Sequence, residues 1–134
     1  MRSSPRRRPK PSVSAGLADL VGRVHDCDCL DLLARLPDGC CELIYVDPPF
    51  GTGKPFRGDA ASGMGFTDRR AGGRAAQIAF LLPRLIEMRR VLSDCGSLYV
   101  HLDYRLAPYV RIELDRIFGE RHFLNEIIWS YRTG

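Results

Sequence analysis

No stretch of this sequence is apolar for long enough to cross a bilayer, because charge breaks its longest hydrophobic runs within a few residues. No secretory leader is expected either. The basic start runs into prolines and serines rather than an apolar segment, which points to a reducing cytoplasm. Cysteine is too irregular for a disulfide framework: there are five, with Cys27 and Cys29 one residue apart and Cys40 and Cys41 adjacent. That spacing fits a tetrahedral zinc site poorly, so no metal is expected. The chain has no internal repeat. Beyond the first ten residues it also has almost no charge imbalance. Arg2, Arg6, Arg7, Arg8 and Lys10 are five of the 20 basic residues, and the remaining 15 face 16 acidic ones.

What is present suits one compact domain. The chain has 134 residues, 45% hydrophobic and 27% charged, enough to bury a core without staples. Residues 1–14, rich in Arg, Pro and Ser, are expected to form a disordered basic tail. That tail is either a solvated leader or a weak phosphate-binding arm. Residues 15–134 hold the domain. A strand is expected over 20–25, then a helix over 29–36 capped by Asp28 and stopped by Pro37-Asp38-Gly39. Residues 42–46 read as a strand of the kind buried in a parallel sheet. Residues 51–73 carry seven of the chain's 13 glycines and read as a long loop without regular structure. Ile78, Leu81, Leu85, Met88 and Leu92 line one face of a helix over 75–92, which Pro83 should kink. Ser93-Asp94-Cys95-Gly96 should end it. A strand over 97–101 follows, then a helix over 106–118 with Val110, Leu114 and Ile117 inward and Gly119 as its stop. A last strand is expected over 125–131. This alternation predicts an α/β domain, a mainly parallel sheet with flanking helices.

In open α/β sheets ligands bind at the carboxyl ends of strands, where Asp28, Asp47 and Asp103 fall. Asp103 reads as a turn former. Asp28 reads either as a cap or as a ligand contact. Asp47 stands apart because Pro48, Pro49 and Phe50 follow it. The prolines fix φ, lack N–H groups and hold the preceding residue extended. The result is a rigid ledge of acceptors, one carboxylate and carbonyl oxygens, with an aromatic ring next to it. Such a ledge suits an exocyclic nucleobase amine, whose two hydrogens would go to Asp47 and the Pro48 carbonyl, freeing the nitrogen lone pair. Phe50 can stack on that base, which must leave the duplex to reach it. Lys54 and Arg57 either hold a phosphate beside the flipped nucleotide or line a solvated loop. His101 and Trp129 read as core residues.

Asp47-Pro48-Pro49-Phe50 at a strand end resembles the signature of the amino-directed DNA methyltransferases, which act on adenine N6 or cytosine N4. The likeness extends over roughly residues 20–134. Asp28-Cys29-Leu30 and Leu43-Ile44-Tyr45-Val46 look like the lead-in to that motif. Phe50-Gly51-Thr52-Gly53-Lys54 resembles its continuation, with Gly51 where Asn is usual. Pro83-Arg84-Leu85, Glu87-Met88, the run from Gly96 to Asp103, and Asn125-Glu126-Ile127-Ile128-Trp129 look like its next helix and strands. The resemblance implies a partial S-adenosylmethionine-dependent methyltransferase (Rossmann-like) fold. It also implies methyl transfer from S-adenosylmethionine to a flipped base, adenine N6 above all, with Asp47, Pro48, Pro49 and Phe50 catalytic. Asp28 is then the expected cofactor contact.

Two departures stand out. Cys27 replaces a usual Gly, and the family's Phe-x-Gly-x-Gly turn for the donor is missing. In a permuted subgroup that turn lies far C-terminal to the catalytic motif. Residues 15–134 therefore look like the N-terminal catalytic half of such an enzyme, from a truncated gene or a split enzyme, and the isolated chain is expected to bind the donor weakly. The implied partners are DNA, a missing C-terminal half, and a restriction or specificity subunit, with no membrane. RNA guanine-N2 methyltransferases use a similar motif but place the donor turn before it, and only 46 residues precede Asp47. A non-catalytic nucleic-acid-binding remnant or subunit is the alternative from another class.

Overall fold

The computed structural model describes residues 15–50, 55–56, 66–67 and 73–130. The expected tail, most of the glycine-rich segment, Lys54 and Arg57 lie outside them. Helix α1 (Ala15–Ala18) is a single turn. Leu17 O accepts from Leu20 N and Val21 N, and Gly22 turns the chain at φ 74°. The strand expected over 20–25 is therefore not formed. Its first N–H groups close a turn, a left-handed glycine breaks the extended run, and Val24 stands fully exposed.

Helix α2 (Cys29–Leu33) starts where expected, with Asp28 Oδ1 accepting from Leu30 N at 2.9 Å. Its last turn tightens through bonds from Arg35 N to Leu32 O and Leu36 N to Leu33 O, the i→i+3 pattern of a closing helix. Arg90, in the next long helix, donates to Leu33 O at 2.7 Å and Leu36 O at 2.9 Å and pairs with Asp38. One guanidinium thus satisfies the exposed carbonyl end of α2.

Strands β1 (Cys41–Val46) and β4 (Leu92–Val100) pair in parallel, with Val46 opposite Val100. Between them in sequence, β2 (Pro55–Phe56) and β3 (Phe66–Thr67) pair antiparallel, so part of the segment expected to lack structure forms a ladder. Helix α3 (Gly73–Val91) runs through Pro83 without ending there. Helix α4 (Ala107–Phe118) has Pro108 in its first turn, where a missing N–H costs nothing. It ends at Gly119 with φ 87°. A short 3₁₀ turn, Glu120–His122, follows.

The core lies between the helices and one sheet face. Leu33, Leu81, Leu85, Met88, Val91, Leu106 and Val110 form it, with Ile44, Val46, Leu98 and Val100 against them. Each fully buried aliphatic side chain contributes roughly 1.5–3 kcal/mol. Because α2, α3 and α4 pack on this one face, Leu43, Tyr45 and Tyr99 on the other are exposed, and the expectation of strands buried on both faces is corrected. The run over 125–131 is not a strand among the described residues. Ile127, Ile128 and Trp129 are exposed, Trp129 at 82%, and among the described residues no strand pairs with them. Trp129 is therefore not core. No described helix is long and apolar enough to cross a membrane.

Candidate functional site

The ladder from β1 to β4 ends with His101 N donating to Val46 O at 2.9 Å. In a parallel pair this sets the first residue beyond each strand side by side, and those residues are Asp47 and His101. A bulge makes the register possible. Cys41 pairs with Leu92 but Leu43 pairs with Ser97, so residues 93–96 loop out of the ladder. The turn chemistry expected there is spent on this bulge rather than on a stop between helix and strand.

Pro48 is buried, while Asp47 and Pro49 face outward. The ledge is anchored from α3: Gln77, 8% exposed, donates from Nε2 to Pro49 O at 3.2 Å. Among the described residues the Pro48 carbonyl has no hydrogen-bond partner. His101 Nδ1 stands 3.4 Å from Asp47 Oδ1, with the two side chains 50% and 57% exposed. The His101 and Phe50 rings meet edge to face, centroids 5.3 Å apart and planes at 72°. His101 is thus at the ledge and not in the core. Asp47, Pro48, Pro49 and Phe50 follow one another directly from the end of β1.

Asp28, at the start of α2, is engaged with α2 and α3. Its Oδ1 caps α2 and its Oδ2 receives Arg84 at 2.6 Å. Arg84 is 10% exposed in its side chain, donates to Phe80 O at 2.8 Å and lies 3.5 Å over the Phe80 ring. The Leu30 N–H first, and the Arg84 charge after it, hold the Asp28 carboxyl below its usual 3.8. Asp103 accepts from Arg105 N and Leu106 N and pairs with the Arg105 guanidinium, the expected turn former. Among the described residues no cluster could hold a metal ion.

A cavity of about 200 Å³ lies under the ledge, lined mainly by apolar side chains, among them Val46, Leu81, Leu85, Met88 and Val100, with Arg84 and Asp47 at its margin. Gln77 has no place in the sequence motifs, and Arg84 figures there only within Pro83-Arg84-Leu85, without a role. Their signal was there, as two polar residues in line with the inward stripe of Leu81, Leu85 and Met88. His101 carried no such signal, since its placement depends on the bulge.

The sequence pattern of a DNA methylase family matches residues 41–134. The chain is 37% identical over 86 residues to the type II methyltransferase M.EcaI of Enterobacter cloacae, covering 64% of this chain and 18% of that protein. It is 24% identical over 130 residues to the type III restriction-modification enzyme EcoP15I Mod subunit of Escherichia coli, covering 79% and 20%. It is 28% identical over 104 residues to the DNA adenine methyltransferase YhdJ of E. coli K12, covering 78% and 31%. The chain thus spans between about a fifth and a third of these relatives' lengths. No solved structure matches it.

Proposed function

The chain belongs to the DNA methylase family whose pattern covers residues 41–134, and from that premise we propose that it receives the target amine in DNA methylation, adenine N6 above all. The observation that carries this reading is the ledge. At the carboxyl end of β1 it carries the Asp47 carboxylate and, next in the chain, a Pro48 carbonyl with no partner among the described residues, followed by Phe50, whose ring meets His101.

An aromatic amine is a poor nucleophile because its lone pair is delocalised into the ring. Two acceptors, one for each N–H, favour a pyramidal nitrogen and return the lone pair to it. Aiming fixed acceptors at a group whose charge changes during reaction is a general source of catalysis. Phe50 supports the base by stacking, a contact worth roughly 1–3 kcal/mol, and the base must be out of the duplex to reach it. Asp47, Pro48, Pro49 and Phe50 are the residues assigned to this role. Adenine is favoured over cytosine by the name of one relative, a DNA adenine methyltransferase.

Family membership supports S-adenosylmethionine as the methyl source. The described residues do not compose a site for it. The cavity of about 200 Å³ under the ledge falls short of the roughly 300–1,000 Å³ typical of small-molecule sites. Asp28, the expected contact, already serves Leu30 and Arg84. In this reading residues 15–134 supply the catalytic-motif half of the enzyme and act on DNA in the cytoplasm. The type III Mod subunits among the relatives support a restriction subunit as partner.

The test compares a DNA duplex carrying an extrahelical adenine with one carrying purine, which lacks the amine. The chain should bind the adenine duplex tighter by roughly 1.5–3 kcal/mol, the worth of hydrogen bonds to a charged group. Asp47→Ala should remove the difference. Equal affinity for the two duplexes in the wild-type chain overturns the reading.

A further inference from the structure

His101 is the group at the ledge that the proposed chemistry does not use. It is half exposed, so packing does not explain its place, and both of its ring contacts are to ledge residues. One is Nδ1 to Asp47 Oδ1 at 3.4 Å. The other is the edge-to-face meeting with Phe50 at 5.3 Å, the arrangement that the ring quadrupole favours. Its backbone is pinned by the bond to Val46 O at 2.9 Å, so the imidazole projects from a rigid strand end. Asp47 and Phe50, by contrast, are on the chain leaving the sheet, and the Asp47 side chain is 57% exposed. Left alone, an exposed carboxylate and a half-buried ring sample several rotamers, and ordering them on binding costs affinity.

We propose that His101 is a positioning residue that holds the Asp47 carboxylate and the Phe50 ring in the arrangement that receives the base. This rests on the ledge reading above. His101 touches neither the amine nor the methyl group; it acts through its two neighbours. The Asp47 contact is an approach of opposite dipoles at 3.4 Å rather than an aligned hydrogen bond, and apo contacts of this kind often tighten only when the substrate is bound. A nitrogen donor and an aromatic edge are both needed, and histidine supplies them from one ring.

Two substitutions separate those contacts. His101→Asn keeps a donor near the place of Nδ1 and loses the ring. His101→Phe keeps a ring for Phe50 and loses the donor. Side-chain rotamers of Asp47 and Phe50 are read by NMR couplings in the labelled chain, with the amide spectrum confirming the fold of each variant. In the wild type both side chains should hold one rotamer. In His101→Ala both should average, His101→Asn should restore Asp47 alone, and His101→Phe should restore Phe50 alone. Discrimination between the extrahelical adenine and purine duplexes should fall roughly two- to tenfold in His101→Ala, the cost of ordering the Asp47 side chain at binding, since the Phe50 term is common to both duplexes.

If His101→Ala keeps both rotamers and the full discrimination while Asp47→Ala abolishes it, the positioning role is overturned and the ledge reading stands. If Asp47→Ala leaves discrimination intact while His101→Ala releases both rotamers, His101 does order its neighbours and the ledge reading is what fails.

Discussion

Gly96 is the position where a single methyl group tests the register of the sheet. A β-carbon there would lie 2.8 Å from Cγ and Cδ1 of Leu92 and 3.0 Å from the Cys41 carbonyl oxygen. Leu92 is buried, so it has little room to swing away, and the Cys41 oxygen is backbone of β1. Something must therefore move, and overpacking of this kind costs about 1–3 kcal/mol. At roughly 4 °C per kcal/mol for a domain of this size, Gly96→Ala should lower the thermal midpoint by roughly 4–12 °C. Circular dichroism melts would measure it, with Ser97→Ala as the control on the same strand. A second readout follows from the bulge. If relief of the clash displaces residues 93–96, His101 shifts against Phe50, and its ring-proton resonances should move. A variant that melts within about 1 °C of wild type, with unmoved His101 resonances, would refute the claim that this contact pins the register.

Phe50→Ala should weaken binding of an extrahelical base by roughly 1–3 kcal/mol, and Phe50→Tyr should retain it; fluorescence of a base analogue at that position reports both. The Asp28 carboxyl titrates below its usual 3.8 in the folded chain, so its contribution to stability is complete above that value and is lost as pH falls through the folded one. Asp28→Asn, which still caps α2, should be less stable than wild type at neutral pH, and the gap in urea midpoint should close in strong acid. Burial, and the adjoining Cys40 after it, push the Cys41 thiol up to about 11. Because the thiolate is the reactive form, mass spectrometry during alkylation near neutral pH should show exposed Cys27 and Cys95 modified well before Cys41.

The parts of this fold that local chemistry determines could be read from the chain. Asp28 as the cap of α2, the inward stripe of α3, Gly119 at the end of α4 and the rigid residues after Val46 each depend on neighbours within a turn or two. The failures share a different cause. Residues 20–25 and 125–131 have the composition of strands, but a strand exists only against a partner, and composition does not say whether one is present. Tyr45 and Tyr99 sit in apolar runs that look doubly buried, yet the helices cover one face only. His101 was misplaced for the subtlest reason. Its position beside Asp47 depends on residues 93–96 being looped out of a ladder between segments about fifty residues apart, a sum that neither segment reveals alone.

Helix α2 has five residues, far short of the length at which a helix holds itself together in water. Both of its ends are tied to α3, through Arg84 to Asp28 at the start and through Arg90 to the Leu33 and Leu36 carbonyls at the finish. Those arginines are six positions apart on one helix, so α3 acts as a jig on which α2 is assembled. The order of events in folding follows: α3 must be in place before α2 can persist, and any opening that frees α3 releases α2 with it. In native-state hydrogen exchange the α2 amides therefore belong to the same cooperative unit as α3, or to a less protected one.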